Sequence, residues 1–356
     1  MITLIIGLGP LIWDPSLAVD HFFPNWGQPG EPGDGLTGYP TDFTRDVIPM
    51  PCHSHNDYWR RIPLYEALHY GCVGVEADVW LFDEELYVGH TTASLAKNRT
   101  LKTLYVDPLV QILDNMNARP MFGTASYKIK GVFEEAPEQT LVLLIDFKMD
   151  GREQFPIVSA HLQALRAKNY LTYYNGQDLV QGAVTIVATG NAPFDLITAN
   201  STYRDIFFDA PLDKLSDDTK TLASQSLTPD SLITDSASTA GQGNTGVDLS
   251  LGSSQFTNKN SYYASINFKR SIGFPYRGRL THKQLKMLRS QIKAAHEKGL
   301  KARYWNTPTW PVGLRNHIWK ILVEEGADVL NVDDLRSAKM ADWSKSWREH
   351  RWMGGL

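Results

Sequence analysis

The apolar residues of this chain fall into short continuous runs, and in its C-terminal part these runs alternate with stretches of helical periodicity. Eight runs lie near residues 47, 74, 142, 184, 205, 264, 301 and 329. A continuous apolar run bounded by turn residues is typical of a parallel strand that is buried on both faces. Residues 282–299 and 314–328 place apolar residues at helical spacing. This alternation predicts a parallel sheet covered by helices.

Three stretches fall outside this alternation and set the predicted domain boundaries. Residues 24–42 are rich in Pro and Gly, so we expect residues 1–44 to form an N-terminal arm ahead of one domain spanning 45–340. Residues 231–260, rich in Ser, Thr, Gly and Asn, predict a surface insertion in that domain. Residues 341–356 are left as a C-terminal tail. The length of 356 residues, with 42% hydrophobic, suits one such domain.

Two acidic residues lie inside the second apolar run. Glu76 and Asp78 are two positions apart, so in a strand they point to the same face. Ionised carboxylates in an apolar strand need a partner, because each raises the pKa of the other. A solvated strand face is the simpler interpretation of such a pair. The apolar flanks favour a site for a divalent cation, whose preferred ligands are carboxylate oxygens.

A second pair of charged residues ends the apolar run at 141–147. Asp146 and Lys148 are again two positions apart, so they share a face. Asp146 would add a third carboxylate to the cation, and Lys148 a positive charge for a phosphate oxygen. A plain ion pair at the end of a strand is the alternative.

Three histidines accompany these carboxylates. His53 and His55 lie at the end of the first run, and His90 follows the second. Any one of them alone is more often a core or surface residue. Grouped around the acidic pair, they indicate general acid–base chemistry.

Together these motifs resemble the phosphatidylinositol-phospholipase-C-like phosphodiesterase superfamily. That group includes glycerophosphodiester phosphodiesterases, phosphatidylinositol phospholipases C and the sphingomyelinase D type of phospholipase D. The resemblance rests on the motifs HSHND, RIPLYEAL, GCVGVEADVWL and LYVGH. Within the superfamily, the HNDY and EADVWL motifs are similar to those of the fungal altered inheritance of mitochondria protein 6 group. The resemblance implies a phosphoric diester hydrolase with an α/β fold, a TIM-type (β/α)8 barrel, and the eight apolar runs agree with that strand number.

The resemblance also implies roles for individual residues. The catalytic pair would be His55 and His90; the metal ligands Glu76, Asp78, Asp146 and Asn56; the substrate contacts Lys148, Trp305 and His53. His53 rivals His55 for the first catalytic position, because the His-Arg-Gly motif of glycerophosphodiesterases is absent. The D-x-K motif at residues 146–148 is similar to the motif of the sphingomyelinase D branch. Trp305 also resembles a tryptophan of that branch, and the alternative is that it is an aromatic residue of the barrel core. Asp333 is interpreted as an N-cap or a supporting hydrogen bonder.

We therefore expect a phosphodiesterase that cleaves a glycerophosphodiester or a phospholipid head group with one Mg²⁺ or Ca²⁺ ion. One histidine attacks phosphorus or removes a proton, and the other protonates the leaving alcohol. Two alternatives stay open. The first is a catalytically silent barrel that binds metal or phosphate. The second is an amidohydrolase-like metal hydrolase, which needs further strand-end ligands, whereas the remaining candidates fall in predicted helices: His161, His282, His296 and His317.

Net charge and targeting signals limit the classes of binding partner and the cellular locations that the chain could have. The net charge of −4 argues against a nucleic-acid binder. We expect no basic cluster for tight binding to anionic membranes, but ten Trp and fifteen Tyr leave aromatic side chains for transient contact with a membrane surface. The N-terminal apolar run of about 13 residues lacks the features of a complete signal peptide or transmembrane helix. Localisation stays open, secretion or membrane association included, and so does the oligomeric state.

The two cysteines are predicted to be free buried thiols. Cys52 lies near the end of the first predicted strand, and Cys72 lies before the second. In parallel neighbours this would separate them by more than ~10 Å, beyond the ~7 Å Cα limit for a disulfide.

Overall fold

The structure, a computed structural model, describes residues 44–118, 128–215, 252–276 and 278–340. The chain divides into two units, residues 1–43 and 44–356, and every described residue belongs to the second. Apart from residue 44 and residues 252–260, the predicted arm and insertion lie outside the described residues, as does the predicted tail.

Eight parallel strands close into a barrel. Each strand pairs with the next one along the chain, and the first pairs with both the second and the last. The predicted TIM-type (β/α)8 barrel is thereby confirmed. The barrel strands are β1 (Met50–Ser54), β2 (Cys72–Phe82), β4 (Leu141–Phe147), β7 (Val184–Gly190), β8 (Ile206–Pro211), β9 (Ser261–Asn267), β10 (Lys301–Trp305) and β11 (Val329–Val332).

Three further strands lie outside the barrel. The antiparallel strand β3 (Glu85–Val88) folds back on β2. The strands β5 (Tyr173–Tyr174) and β6 (Leu179–Val180) form a small hairpin of their own ahead of β7.

Helices connect the barrel strands. They are α1 (Tyr65–Tyr70), α2 (Asp107–Met116), α3 (Gly151–His161), α4 (Gln163–Ala167), α5 (Phe194–Thr198), α6 (Leu212–Leu215), α7 (Phe268–Ser271), α8 (His282–Glu297), α9 (Val312–Glu324) and α10 (Leu335–Met340). In the part of the chain that the structure describes, no helix has the length and apolar character to span a bilayer.

Local signals set the bounds of the predicted helix at 282–299. Thr281 and Gln284 form a reciprocal capping box at the start of α8. Gly299, with φ of +69°, follows its end. The strand predicted near residue 264 is β9, which begins at Ser261. It ends at Asn267, whose side chain accepts a hydrogen bond from the Arg270 amide and so caps α7.

The two faces of each strand pack differently. Leu143 and Ile145 of β4 belong to the large apolar core, whereas Val142 and Leu144 belong to a small cluster with Tyr263 of β9. Because neighbouring residues of a strand point to opposite faces, the small cluster lies inside the barrel. Asp146, next in the series 142, 144, 146, therefore points into the barrel at its carboxyl end.

Cys52 and Cys72 form a disulfide, so the prediction of free thiols is wrong. β1 begins at Met50 rather than near residue 47, and Met50 pairs with Cys72. The register shifts between Met50 and His53, which brings the Cα atoms of the two cysteines to 4.7 Å. The covalent link joins the first two strands of the barrel.

Candidate active site

Three carboxylates meet inside the barrel. Asp78 of β2 and Asp146 of β4 pair directly across two neighbouring strands, and Glu76 precedes Asp78 by two residues on the same face. One oxygen of each carboxylate lies within 4.8 Å of the others, and all three side chains are buried. The sequence prediction that these residues come together is therefore correct.

The cluster fits a metal ion. In the described structure, Oδ1 of Asp78 and Oδ1 of Asp146 have no hydrogen-bond partner. Gly190, at the end of β7, keeps the space beside Asp146 clear, because a Cβ there would lie 2.0 Å from its Oδ1. Buried carboxylate oxygens without partners are costly, and oxygen atoms are the preferred ligands of Mg²⁺ and Ca²⁺. Glu76, Asp78 and Asp146 could hold such an ion.

Two buried cations lie among the carboxylates. Lys148 Nζ is 3.0 Å from Asp78 Oδ2 and 2.7 Å from Asp146 Oδ2. Arg303 of β10 places one guanidinium nitrogen 3.4 Å from Glu76 Oε2 and another 3.9 Å from Asp209 Oδ2 of β8.

The balance of charge in this layer is negative. Burial raises the pKa of Asp146 to about 7, although the Lys148 ammonium opposes the rise. Burial also raises the pKa of Asp209 to about 6, opposed by Arg303. Four carboxylates face two cations here, and a divalent cation would supply the two missing positive charges.

His55 lies just beyond β1 and is held by a carboxylate. Its Nδ1 is 2.8 Å from Asp333 Oδ1, and its Nε2 is 4.0 Å from Glu76 Oε2. A proton on Nδ1, donated to Asp333, leaves Nε2 facing the carboxylate cluster. Arg60 donates to the backbone carbonyls of His55 and Asp333, which fixes the two loops to each other. Asp333 is thus the hydrogen bonder that the sequence left as one of two interpretations.

His90 approaches the cluster from the other side. It follows β3, and its Nδ1 lies 3.4 Å from Asp78 Oδ2 and 3.3 Å from the Tyr58 hydroxyl. Its ring centroid is 5.1 Å from that of Trp59. The His90 side chain is 44% exposed, against 16% for His55, so one imidazole opens to solvent and the other is sheltered.

Asn56 and Tyr58 connect these groups. The backbone of Asn56 adopts a left-handed conformation with φ of +48°. Its backbone N–H donates to Glu76 Oε2 at 3.2 Å. The Tyr58 hydroxyl is 2.7 Å from both Asn56 Oδ1 and Asp78 Oδ2. Burial and the neighbouring carboxylates raise the pKa of Tyr58, so the phenol stays neutral. Sequence analysis missed Tyr58, which lies on a short 3₁₀ turn without periodicity; its only signal is its position beside the His-Asn motif.

His53 lies within the barrel rather than at its mouth. It is fully buried, and neither ring nitrogen has a polar partner among the described residues. Its ring meets Tyr263 edge-on at 5.8 Å. Burial and the charge of Arg303 lower its pKa well below the usual range, so the ring is neutral. This placement argues against the predicted contact between His53 and substrate.

β10 carries two further residues near the site, Trp305, which the sequence predicted, and Arg303, which it did not. Trp305, its last residue, is half-buried at the carboxyl end of the barrel, and its role in framing substrate stays a prediction. Arg303 was missed by sequence analysis, together with Asp209. Arg303 donates from Nε and Nη2 to Asn331 Oδ1, at 3.1 and 2.8 Å. The only feature of the sequence that could have indicated these two residues is the presence of one charge inside each of the apolar strands β10 and β8.

Comparison with known proteins shows to which family the chain belongs. A family profile described as the AIM6-like phosphodiesterase domain matches residues 41–209, which include both mouth histidines and the three clustered carboxylates. A protein of Arthroderma benhamiae named altered inheritance of mitochondria protein 6 homolog is 40% identical over 308 residues, covering 85% of this chain and 86% of that protein. The chain belongs to the altered inheritance of mitochondria protein 6 family.

Other members of this family are similar over most of their length. The Eremothecium gossypii protein is 34% identical over 327 residues, which cover 89% of this chain and 76% of that protein. The Saccharomyces cerevisiae protein (strain RM11-1a) is 36% identical over 307 residues, which cover 82% of this chain and 70% of that protein. No solved structure gives a significant match.

Proposed function

We propose that this chain is a divalent-metal-dependent phosphodiesterase that uses His55 and His90 as its acid–base pair. One observation carries the proposal: two imidazoles from different loops flank a buried carboxylate cluster that has unpartnered oxygens. The phosphodiesterase domain that the chain shares with its family supports the same reaction class.

Glu76, Asp78 and Asp146 would hold the cation, with Asn56 beside them. When bound, Mg²⁺ or Ca²⁺ supplies a Lewis acid that polarises a non-bridging phosphate oxygen.

Lys148 supplies a fixed positive charge at the same place. Burial lowers the pKa of Lys148, but the charges of Asp146 and Asp78 outweigh burial and raise it, so the ammonium keeps its proton. A buried ammonium beside the phosphate binds the negative charge that gathers on its oxygens during transfer.

The two histidines suit different steps. His55 presents Nε2 towards the cluster while Asp333 holds Nδ1, so Nε2 can remove a proton from the attacking group or attack phosphorus itself. His90, at the solvent side, delivers a proton to the oxygen of the leaving alcohol as the P–O bond breaks. Attack by water yields a monoester, as does attack by His55 followed by hydrolysis of the resulting P–N bond. Attack by an internal hydroxyl yields a cyclic phosphate.

The substrate would be a glycerophosphodiester or a phospholipid head group. A turnover screen tests this with the full chain on bis-p-nitrophenyl phosphate, glycerophosphodiesters, lysophospholipids and sphingomyelin, with and without chelator. We expect turnover that the chelator abolishes and added Mg²⁺ or Ca²⁺ restores. Turnover that persists in chelator contradicts the metal dependence.

Metal binding is tested separately by titration calorimetry. Asp146→Asn is expected to weaken Mg²⁺ or Ca²⁺ binding at least about tenfold, because it removes one of three charged ligands. Asp114→Asn, on the exposed surface of α2, is the control and should bind as the wild type does. A chain that binds the ion at Asp146 but cleaves no diester would be the catalytically silent barrel, and the proposed function would fall.

A further inference from the structure

Large apolar side chains are exposed around the mouth of the barrel. In the described part of the chain, seven large apolar side chains are more than half exposed, and five of them lie on loops or turns that follow a barrel strand at its carboxyl end. We call these five the mouth patch: Trp59, Ile62, Phe274, Tyr276 and Trp310. Exposed aromatic groups of this kind mark interaction surfaces.

The loops that carry the mouth patch are adjacent. Phe274 and Tyr276 follow β9, Trp310 follows β10, and β9 and β10 are paired neighbours. Trp59 and Ile62 follow β1, which is separated from β10 only by β11. Because the strands of a parallel barrel all end at one face, these side chains border the opening to the candidate site. The contact of Trp59 with His90 shows this directly.

The opposite end of the barrel differs in kind. The two other side chains above half exposure within the described ranges are Ile48, which precedes β1, and Met340, at the end of α10. Neither is aromatic. Among the described residues, Trp310 at 75%, Tyr276 at 68% and Phe274 at 66% therefore place the most exposed aromatic side chains at the mouth of the barrel. Aromatic side chains of this type favour the boundary between water and lipid.

A basic segment accompanies the mouth patch. Residues 268–296 contain eight Lys or Arg and no Asp or Glu, in a chain of net charge −4. The sequence analysis did not expect a basic cluster for membrane binding, and this segment is the candidate for one. Its part at the carboxyl end of the barrel includes four exposed residues around Phe274 and Tyr276: Lys269, Arg270, Arg279 and Lys283. Within the described residues, no ion pair joins these four to a carboxylate.

We infer that the mouth of the barrel docks on an anionic phospholipid surface. The mouth patch enters the head-group region, and the four exposed basic residues around Phe274 and Tyr276 face the lipid charges. Aromatic side chains and basic side chains around one opening match the two properties of such a surface. The purpose of docking rests on the proposed function, because it would bring a phospholipid diester to the carboxylate cluster.

The test is co-sedimentation of the full chain with vesicles of phosphatidylcholine containing phosphatidylserine, beside vesicles of phosphatidylcholine alone. We expect binding to the anionic vesicles that weakens as salt is added. The double variant Lys269→Gln, Arg270→Gln should bind about 25-fold more weakly, or about fivefold for each charge removed. Phe274→Ser with Trp310→Ser should weaken binding about tenfold or more.

A matched control lies at the other end of the same strands. Lys259 precedes β9 and Lys298 precedes β10, so Lys259→Gln with Lys298→Gln removes the same charge one barrel length away. This control should bind vesicles as the wild type does. Equal binding of the two charge variants, or no binding of wild type to anionic vesicles, overturns the inference. So does a dimer in sedimentation velocity that Phe274→Ser with Trp310→Ser abolishes, in a chain that binds no vesicles.

Turnover of a soluble diester separates this inference from the proposed function. All three double variants should cleave bis-p-nitrophenyl phosphate at the wild-type rate, because none changes a residue of the site. Turnover without vesicle binding leaves the proposed function and removes the docking surface. Vesicle binding with the expected variant pattern, in a chain that cleaves no diester, leaves the docking surface and removes the proposed function.

Discussion

The two halves of the barrel contribute to the candidate site in different ways. The first half, from β1 to the end of β7, provides the groups that would touch a phosphodiester or a cation: His55, Glu76, Asp78, His90, Asp146 and Lys148. The second half provides two groups that contact those side chains, Arg303 and Asp333. It also provides Asp209 and Asn331, which contact Arg303. The reacting groups thus all come from the first half. Supporting contacts come partly from that half, through Asn56 and Tyr58, and over long range from the second half.

This division has a physical cause. Carboxylates two residues apart on one strand share a face wherever the strand lies. The arrangement of the acidic side chains in the first half therefore follows from local strand geometry. The supporting contacts join residues far apart in sequence, 227 positions between Glu76 and Arg303 and 278 between His55 and Asp333. They form only when β11 closes on β1. The support of the site therefore depends on closure of the whole barrel.

The largest effects should come from the first half. His55→Ala and His90→Ala are each expected to lower kcat on a soluble diester by about 10³-fold, because each removes a proton-transfer group. Circular dichroism should show an unchanged fold. His317→Ala, on the exposed side of α9, serves as the control and should keep full activity. Full activity in both site variants would remove the proposed chemistry from the first half.

Arg303 tests whether the second half supports the site energetically. Arg303→Met should lower the free energy of unfolding by about 3 kcal/mol, because it leaves Glu76 and Asp209 buried without their cation. Urea denaturation measures the change. Arg289→Met removes an ion pair with Glu325 in which the arginine is exposed, and should cost less than about 1 kcal/mol. An equal decrease in the free energy of unfolding in the two variants would show that the buried contacts of Arg303 stabilise the protein no more than a surface ion pair does.

The same division explains what the sequence could predict. The eight strands and the cluster of Glu76, Asp78 and Asp146 followed from apolar runs and two-residue spacing, which are local properties. Arg303 and Asp209 could not be found that way, because their roles depend on which strands become neighbours across the barrel. The free-thiol prediction failed for a related reason: a register shift at the start of β1, invisible in the sequence, places Cys52 beside Cys72.

Asp333 tests positioning without loss of a reacting group. Asp333→Asn should lower kcat about ten- to a hundredfold with KM nearly unchanged, because the orientation of His55 is less well fixed. Nitrogen NMR of His55 should show a mixture of ring tautomers in place of the form protonated at Nδ1. Asp333→Glu, which keeps the acceptor charge, should recover part of the activity. A full loss of kcat with an unchanged tautomer would instead give Asp333 a direct role in the reaction.

The smallest effect concerns a contact of the second half that does not reach the site. His296 Nε2 lies 2.7 Å from Asp328 Oδ2, and this hydrogen bond raises the pKa of His296 above its usual 6.5. A raised folded pKa stabilises the protein fully below about pH 6.5 and less as the pH rises through the folded value. Because His296 is partly exposed, the contribution should be under about 1 kcal/mol.

Urea denaturation of wild type and His296→Gln at several pH values checks this contribution. The two curves of unfolding free energy should differ most at acidic pH and converge above the folded pKa. Turnover relative to wild type should stay the same at every pH, since the pair lies away from the carboxylate cluster. A change of turnover in His296→Gln would contradict this division between the halves, because a contact remote from the mouth of the barrel would then affect the reaction.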